Sequence, residues 1–342
     1  MADKLRLAMI GCGDISQWYL KAAPTTDCAE VVVVMDVNEA AAKSLGEEFG
    51  KEHTTDYKAV LGRDDVDAVI VSVPHYLHAP LAIQAAQAGK HVLCDKPIAT
   101  NVADAKKMIE ACRKAGVQLS VNFMARFASR NQKARELLAA GVIGEVLLVV
   151  QDERSYKPDT YWAGGWSGRV KTDWRPVLAK AGGGILIMNA IHGIDLVLYL
   201  TGLKPTWVAG LSDTFVAQVE VEDTVAAVIK LSNGGFWNIL SASNLVGAKG
   251  AGTTIHGKLG QIQLGDPVRV YTTRTDVGLK ANEWNEVPVP KDVQSYQPYL
   301  TATCKAILAG KTPPVTGADG LAALAVVRAV YESSQSGQPV KL

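Results

Sequence analysis

The chain has no surplus of charge: 35 basic and 34 acidic residues leave a formal net charge of +1 over 342 residues. A balance this even gives no global field to attract nucleic acid or an anionic membrane, so neither is an expected partner. Cysteine is sparse as well, with five residues at 12, 28, 94, 112 and 304 and no CxxC pair or His/Cys cluster. An odd, scattered set excludes a disulfide framework and a zinc site, and suits reduced thiols in the cytoplasm. The N-terminal MADKLRLAMIGCG lacks a signal-peptide cleavage site, and no run approaches the ~18 apolar residues of a membrane span. Low-complexity tracts and internal repeats are missing too. What remains is a globular composition, 48% hydrophobic and 20% charged, in a chain too long for one core. Two domains follow, with a boundary near residue 124.

In residues 1–124, short β-branched runs alternate with helical stretches, the rhythm of a parallel sheet covered on both faces. LRLAMIG (5–11), EVVVVMD (30–36), DAVIVSVP (67–74), HVLCDKP (91–97) and QLSVNFM (118–124) read as strands. DISQWYLKAA (14–23), NEAAAKSLGEEFG, PLAIQAAQAGK (80–90) and NVADAKKMIEACRKAG read as helices, with Asn38 as a cap and Gly50 as a stop. Residues 125–342 change rhythm. A helix (130–144) precedes a long strand (145–154), then an irregular segment (155–180), then an apolar helix. Strand-rich sequence fills 205–290, and helices over 293–310 and 317–334 close the chain. The first part is therefore α/β and the second α+β.

Between the first strand and the first helix lies Gly11-Cys12-Gly13-Asp14-Ile15-Ser16. The first glycine permits a tight turn and the second lets the backbone approach a pyrophosphate at a helix N-terminus. Asp36 ends the second strand, where a carboxylate binds ribose hydroxyls and repels a 2′-phosphate. This spacing predicts NAD in preference to NADP. Farther on, Pro74 stops one strand and Asp95-Lys96-Pro97 ends the next, both on the ligand-binding side of such a sheet. Gly11, Gly13, Asp14, Ile15, Asp36, Val73, Pro74, His78, Asp95 and Lys96 are the cofactor-facing candidates. His78 also suits a backbone role at its helix start, and no role is assigned to His75.

The run AGGGILIMNAIHGIDLVLYL (181–200) is almost wholly apolar, yet carries Asn189, His192 and Asp195 at intervals of three. That spacing is one drifting stripe of a helix. Gly182 to Gly184 leave room for a flat group such as nicotinamide or substrate.

GCGDIS, VPHYLHAPLAIQAAQAGKHVLCDKP and GGGILIMNAIHGID together resemble the Gfo/Idh/MocA oxidoreductases, a family with inositol dehydrogenases, glucose–fructose oxidoreductase and sugar dehydrogenases. The resemblance spans nearly the whole chain in motif order. It implies a Rossmann domain (1–124) and a second domain (125–342) on a large, open, mostly antiparallel sheet. It also implies that Lys96 and His192 flank the substrate carbinol as the catalytic pair. Two departures stand out: the family's usual Glu is Asp95 here, and a frequent Asp four residues before the histidine is Met188. Asn189, one position later, becomes a substrate-orienting amide.

Oxidising a secondary alcohol requires removal of the hydroxyl proton as hydride leaves carbon. A histidine with an ordinary pKa near 6.5 suits a base, and a lysine cation suits the developing alkoxide. A neutral lysine as the base is the alternative, and the sequence leaves the division open. Asp195 is a candidate to contact substrate, to orient His192 or to bond the backbone. Tyr156, Trp162 and Trp166 sit in a Gly-rich loop, either covering a sugar ring or anchoring the loop. Arg126, Arg169, Lys171 and Arg175 leave room for a sugar acid or nucleotide sugar, while Arg154 and Lys157 suit solvent equally. A neutral sugar or polyol is the first expectation. An NAD-dependent glycosidase with transient redox, and a cofactor sensor without turnover, are the competing ones. The apolar alternation of TWVAGLSDTF and GGFWNILSAS predicts a homodimer or homotetramer joined sheet to sheet.

Overall fold

A computed structural model describes residues 4–291 and 296–342. The chain folds as two compact units, neither of them one run of sequence. The first holds Met1–Met124, Pro158–Gly182 and Gln294–Leu324, and the second Ala125–Lys157, Gly183–Val293 and Ala325–Leu342. Segments 158–182 and 294–324 thus return to the first unit after chain belonging to the second.

The first unit is built on six parallel strands, β1 (Leu5–Ile10), β2 (Ala29–Met35), β3 (Glu52–Thr54), β4 (Ala68–Val71), β5 (His91–Cys94) and β6 (Leu119–Val121). Their order, β3-β2-β1-β4-β5-β6, reverses between β1 and β4, where such sheets open a crevice at the strands' carboxyl ends. Every residue of β4 is buried, as expected of a strand covered on both faces. Asn38 caps the helix Glu39–Phe49 by accepting from the N–H of Ala41, and Gly50 ends it in the left-handed conformation at φ 61°. The predicted helix over 14–23 begins later, at Ser16, whose Oγ donates to the carbonyl of Gly13 at 2.7 Å. It tightens into a 3₁₀ turn at Ala23–Thr25, where Pro24 sits. Strand β3 and the helix Tyr57–Leu61 had no sequence signal, because three and five residues are too short for a period to emerge.

The second unit carries a nine-stranded sheet: β7 (Val146–Arg154), β8 (Pro205–Asp213), β9 (Thr224–Leu231), β10 (Phe236–Ala242), β11 (Gly252–Gly257), β12 (Gly260–Gln263), β13 (Val268–Thr272), β14 (Trp284–Val287) and β15 (Val340–Lys341). The order is β14-β13-β12-β11-β7-β10-β9-β8-β15, antiparallel throughout except for the parallel pair β7–β10. Burial alternates residue by residue along β9 and β10, so one face is packed and the other open. On the open face Val228, Phe236 and Leu240 are all 40% or more exposed. Of the predicted helix 293–310, residues 293–295 lie outside the described residues, and the helix is seen over Tyr296–Leu308.

One helical stretch among the described residues, Leu178–Thr201, is long and apolar enough to cross a membrane by length and composition. That corrects the expectation that no run comes near this length. The few polar residues that interrupt the run leave its mean hydropathy high. Of its most apolar window, 78% is buried inside the fold, as in a core helix.

Candidate active site

The turn after β1 is set by sterics. Gly11 has φ +95°, and a methyl group on it would lie 2.1 Å from the carbonyl oxygen of Ser72. A methyl group on Gly13 would meet nothing within 4 Å. The first glycine closes the turn against β4, and the second leaves open space where a phosphate could approach the backbone. Asp36, just past β2, accepts from the N–H of Cys12 at 2.8 Å and of Asn38 at 2.9 Å. Its carboxylate therefore braces the turn from the adjacent strand end. Gly13, Asp14, Ile15, Asp36, Val73, Pro74 and Lys96 are all half-exposed at the carboxyl ends of β1, β2, β4 and β5. This rim fits a dinucleotide.

Besides Asp36, the cofactor-facing candidates His78, Asp14 and Asp95 also have their side chains engaged by the protein. His78 is buried, with Nδ1 2.7 Å from the carbonyl of Pro97 and Nε2 2.9 Å from that of Val73. It joins the two strand-end loops through their backbones. Asp14 accepts from the N–H groups of Trp166 (2.8 Å) and Ser167 (3.2 Å) and from Ser167 Oγ. Arg175 stands 3.7 Å from the same carboxylate. Segment 158–182 is further held to the first unit by Arg169 on Glu48 and by the carbonyl of Ala181 on His75 Nδ1.

Asp95 is buried beneath Lys96. Ser72 Oγ donates to it at 2.9 Å and Asn122 Nδ2 at 3.2 Å, and burial raises its pKa against the pull of Lys96. Burial lowers the Lys96 ammonium to about 8, with Asp95 opposing and Arg175 assisting. A lysine poised this near neutrality at a strand end is equipped to hold or exchange a proton.

The aromatics of segment 155–180 separate into two groups. Trp162 is 5% exposed and Trp166 65% exposed, while Tyr156 is exposed and pairs with Asn244 in an isolated bridge. Of the two readings the sequence left open, the burial of Trp162 fits an anchor of the segment and the exposure of Trp166 leaves its ring accessible.

In the second unit, the run from Gly183 contains a π turn, Leu186–Ala190, that leads into the helix Ile191–Thr201. Across 181–197 every residue is buried except Asn189 and His192. The polar stripe is therefore a two-residue window in a core helix. Asp195, its third member, is fully buried. Arg126 grips it with Nε at 2.8 Å and Nη2 at 2.5 Å. Both residues were substrate candidates, and each faces the other in a buried ion pair. The glycines before the helix likewise serve packing. A methyl group on Gly183 would lie 2.2 Å from Tyr331 Oη, and one on Gly184 would lie 1.8 Å from the carbonyl of Glu222. The space in the Cβ direction of these two is filled by the protein itself. Glu222 accepts from the N–H groups of Gly184 and Leu186 and from Tyr331 Oη at 2.7 Å, holding the helix start.

Lys157, which the sequence left open between solvent and an acidic substrate, is buried and donates from Nζ to Asn189 Oδ1. No local signal could have found this contact, because the partners are 32 residues apart.

Residues 5–123 match the family model described as "Oxidoreductase family, NAD-binding Rossmann fold". Residues 135–342 match the corresponding C-terminal alpha/beta domain. The chain is 28% identical to the 1,5-anhydro-D-fructose reductase of Ensifer adhaerens, over 98% of each chain. It is 27% identical to the myo-inositol 2-dehydrogenase of Thermotoga maritima, covering 99% of this chain and 98% of that one. Among solved structures, the WlbA dehydrogenase of Bordetella pertussis, in complex with NADH and UDP-GlcNAcA, superposes with a TM-score of 0.84. It is 26% identical, with 99% of each chain covered.

Proposed function

Because the chain belongs to the Gfo/Idh/MocA oxidoreductases, an NAD-binding Rossmann family, we propose that it is a dehydrogenase of a secondary alcohol on a sugar or cyclitol. The observation that carries this reading is the window in the core helix that leaves only Asn189 and His192 partly open. Full-length likeness to a myo-inositol dehydrogenase and an anhydrofructose reductase supports the substrate class.

Bound NAD supplies the hydride acceptor at C4 of its nicotinamide. Gly11, Gly13 and Asp36 shape the turn that receives it, and Val73, Pro74 and Lys96 line the neighbouring strand ends. His192 takes the hydroxyl proton, and Asn189, its oxygen held by Lys157, orients a neighbouring hydroxyl. Lys96, as the ammonium, holds the carbinol oxygen and favours alkoxide character. The five cysteines are all free of disulfides, which fits a cytoplasmic setting.

A panel of polyols, aldoses, sugar acids and nucleotide sugars, scored for NADH absorbance, tests the activity. Reduction of NAD by a neutral polyol or aldose is expected. Failure of every compound, with cofactor retained through purification, transfers the reading to a glycosidase that uses NAD transiently.

On the open face of the second sheet, Val228, Phe236 and Leu240 form an apolar surface that water disfavours, which supports a homodimer or homotetramer joined sheet to sheet. Light scattering should return a multiple of 36.4 kDa, and a mass of one chain removes this part of the proposal.

A further inference from the structure

Strand β7 presents a carboxyl group that no sequence motif singles out. Gln151 Nε2 donates to Glu153 Oε1 at 2.7 Å and to the carbonyl of Ala190 at 3.1 Å, tying the strand to the helix. A methyl group on Gly193 would lie 1.9 Å from Glu153 Oε1. The carboxylate therefore rests on bare backbone at the residue after His192, and it is partly exposed, as His192 and Asn189 are. Burial pushes Glu153 up to about 7, with Asp152 assisting, while the Gln151 hydrogen bond and the Lys157 charge oppose. Asp152 is answered by Arg154 through two 2.7 Å hydrogen bonds. On β10 the residue opposite Glu153 is Ser241, which carries no charge. Among the described residues, the charged groups that act on Glu153 are thus Lys157 and Asp152.

We propose that Glu153 is a specificity-determining residue, whose carboxylate accepts a hydrogen bond from a hydroxyl of a neutral polyhydroxy ring and excludes substrates that carry a carboxylate. The inference rests on the dehydrogenase reading above and narrows its substrate class. A hydroxyl can donate to a carboxylate, whereas an ionised acid cannot, and two like charges in a partly dry site repel. Lys157 does not offset this as an anion receptor, because its ammonium already holds Asn189 Oδ1 and is balanced by Glu153 itself.

The test is Glu153→Gln, assayed with a neutral polyol and its matching sugar acid on both sides of neutrality. For wild type, KM of the neutral substrate should rise as pH falls through about 7, because the protonated carboxyl no longer accepts as strongly. In the variant that KM should be higher and independent of pH. The acid-to-neutral ratio of kcat/KM should rise at least about tenfold as the repulsion is lifted. Glu153→Asp keeps the charge and should still reject the acid. A Glu153→Gln enzyme that keeps the wild-type preference and pH dependence overturns the proposal, as does a wild type that prefers the acid. Calorimetric binding of the same two compounds decides the matter even without hydride transfer. A charge-dependent binding preference without turnover sinks only the dehydrogenase reading, and equal preference in both proteins sinks this inference.

Discussion

Replacing Lys96 with methionine should lower kcat by about 10³-fold, within the range that a positioned acid–base or oxyanion group contributes. The same replacement should leave the thermal transition unchanged or raise it. Burial holds the folded pKa of Lys96 near 8, below its ordinary 10.5. Below about 8 the lysine is charged in both the folded and unfolded states, and the folded state bears the full cost of a buried cation. That cost fades as pH rises from about 8 toward the unfolded value, so stability contributed at this position increases with pH. Removing the amine removes the cost, and activity is lost without stability. The wild-type pH profile adds a second readout. With the ammonium holding the carbinol oxygen, kcat/KM declines as pH rises through about 8, and the methionine variant lacks that inflection. A rise through the same pH would instead give Lys96 the role of base and leave His192 to orient the substrate. A variant with full turnover would remove Lys96 from the chemistry.

Arg126→Met should destabilise the second unit by about 3–5 kcal/mol, the usual cost of leaving one member of a buried ion pair alone. Asp195 is fully buried in the core helix, and both of its carboxylate oxygens are engaged by Arg126 at 2.5 and 2.8 Å. Chemical denaturation followed by tryptophan fluorescence measures the loss. Arg126→Met with Asp195→Leu should recover most of it, because a well-packed apolar pair replaces the charges. If both residues bound substrate, the single variant would instead raise KM and leave the unfolding midpoint in place. The unfolding midpoint therefore decides between an ion pair that stiffens the helix behind His192 and a pair that contacts sugar.

Much of the first unit was legible in advance. The glycine turn, Asn38, Gly50 and the strand ends at Pro74 and Asp95 depend on neighbours within a few residues, so their spacing carries the information. The alternation along β10 was readable for the same reason, since a half-buried strand writes its two faces into every second residue, whereas the alternation expected of β8 is irregular in the fold. Trp162, Arg126 and Asp195 stayed ambiguous in the sequence because aromatic and charged residues look alike whether they face a ligand or another side chain. Gly183 and Gly184 illustrate the same limit, as a missing side chain says that something lies close and not what it is.

From the chain alone came the local grammar: a nucleotide turn, a lysine at a strand end, and a helix too apolar for the histidine it carries. Which side chains meet was decided by the fold, because Arg126 and Asp195 are 69 residues apart, and Lys157 and Asn189 are 32 apart. Glu153 acquires its poised carboxyl only where Gly193 offers bare backbone and Lys157 supplies a charge, a microenvironment assembled from two separate stretches of chain. Pairings of that kind depend on distance through space and on the exclusion of water, neither of which is written in the order of residues.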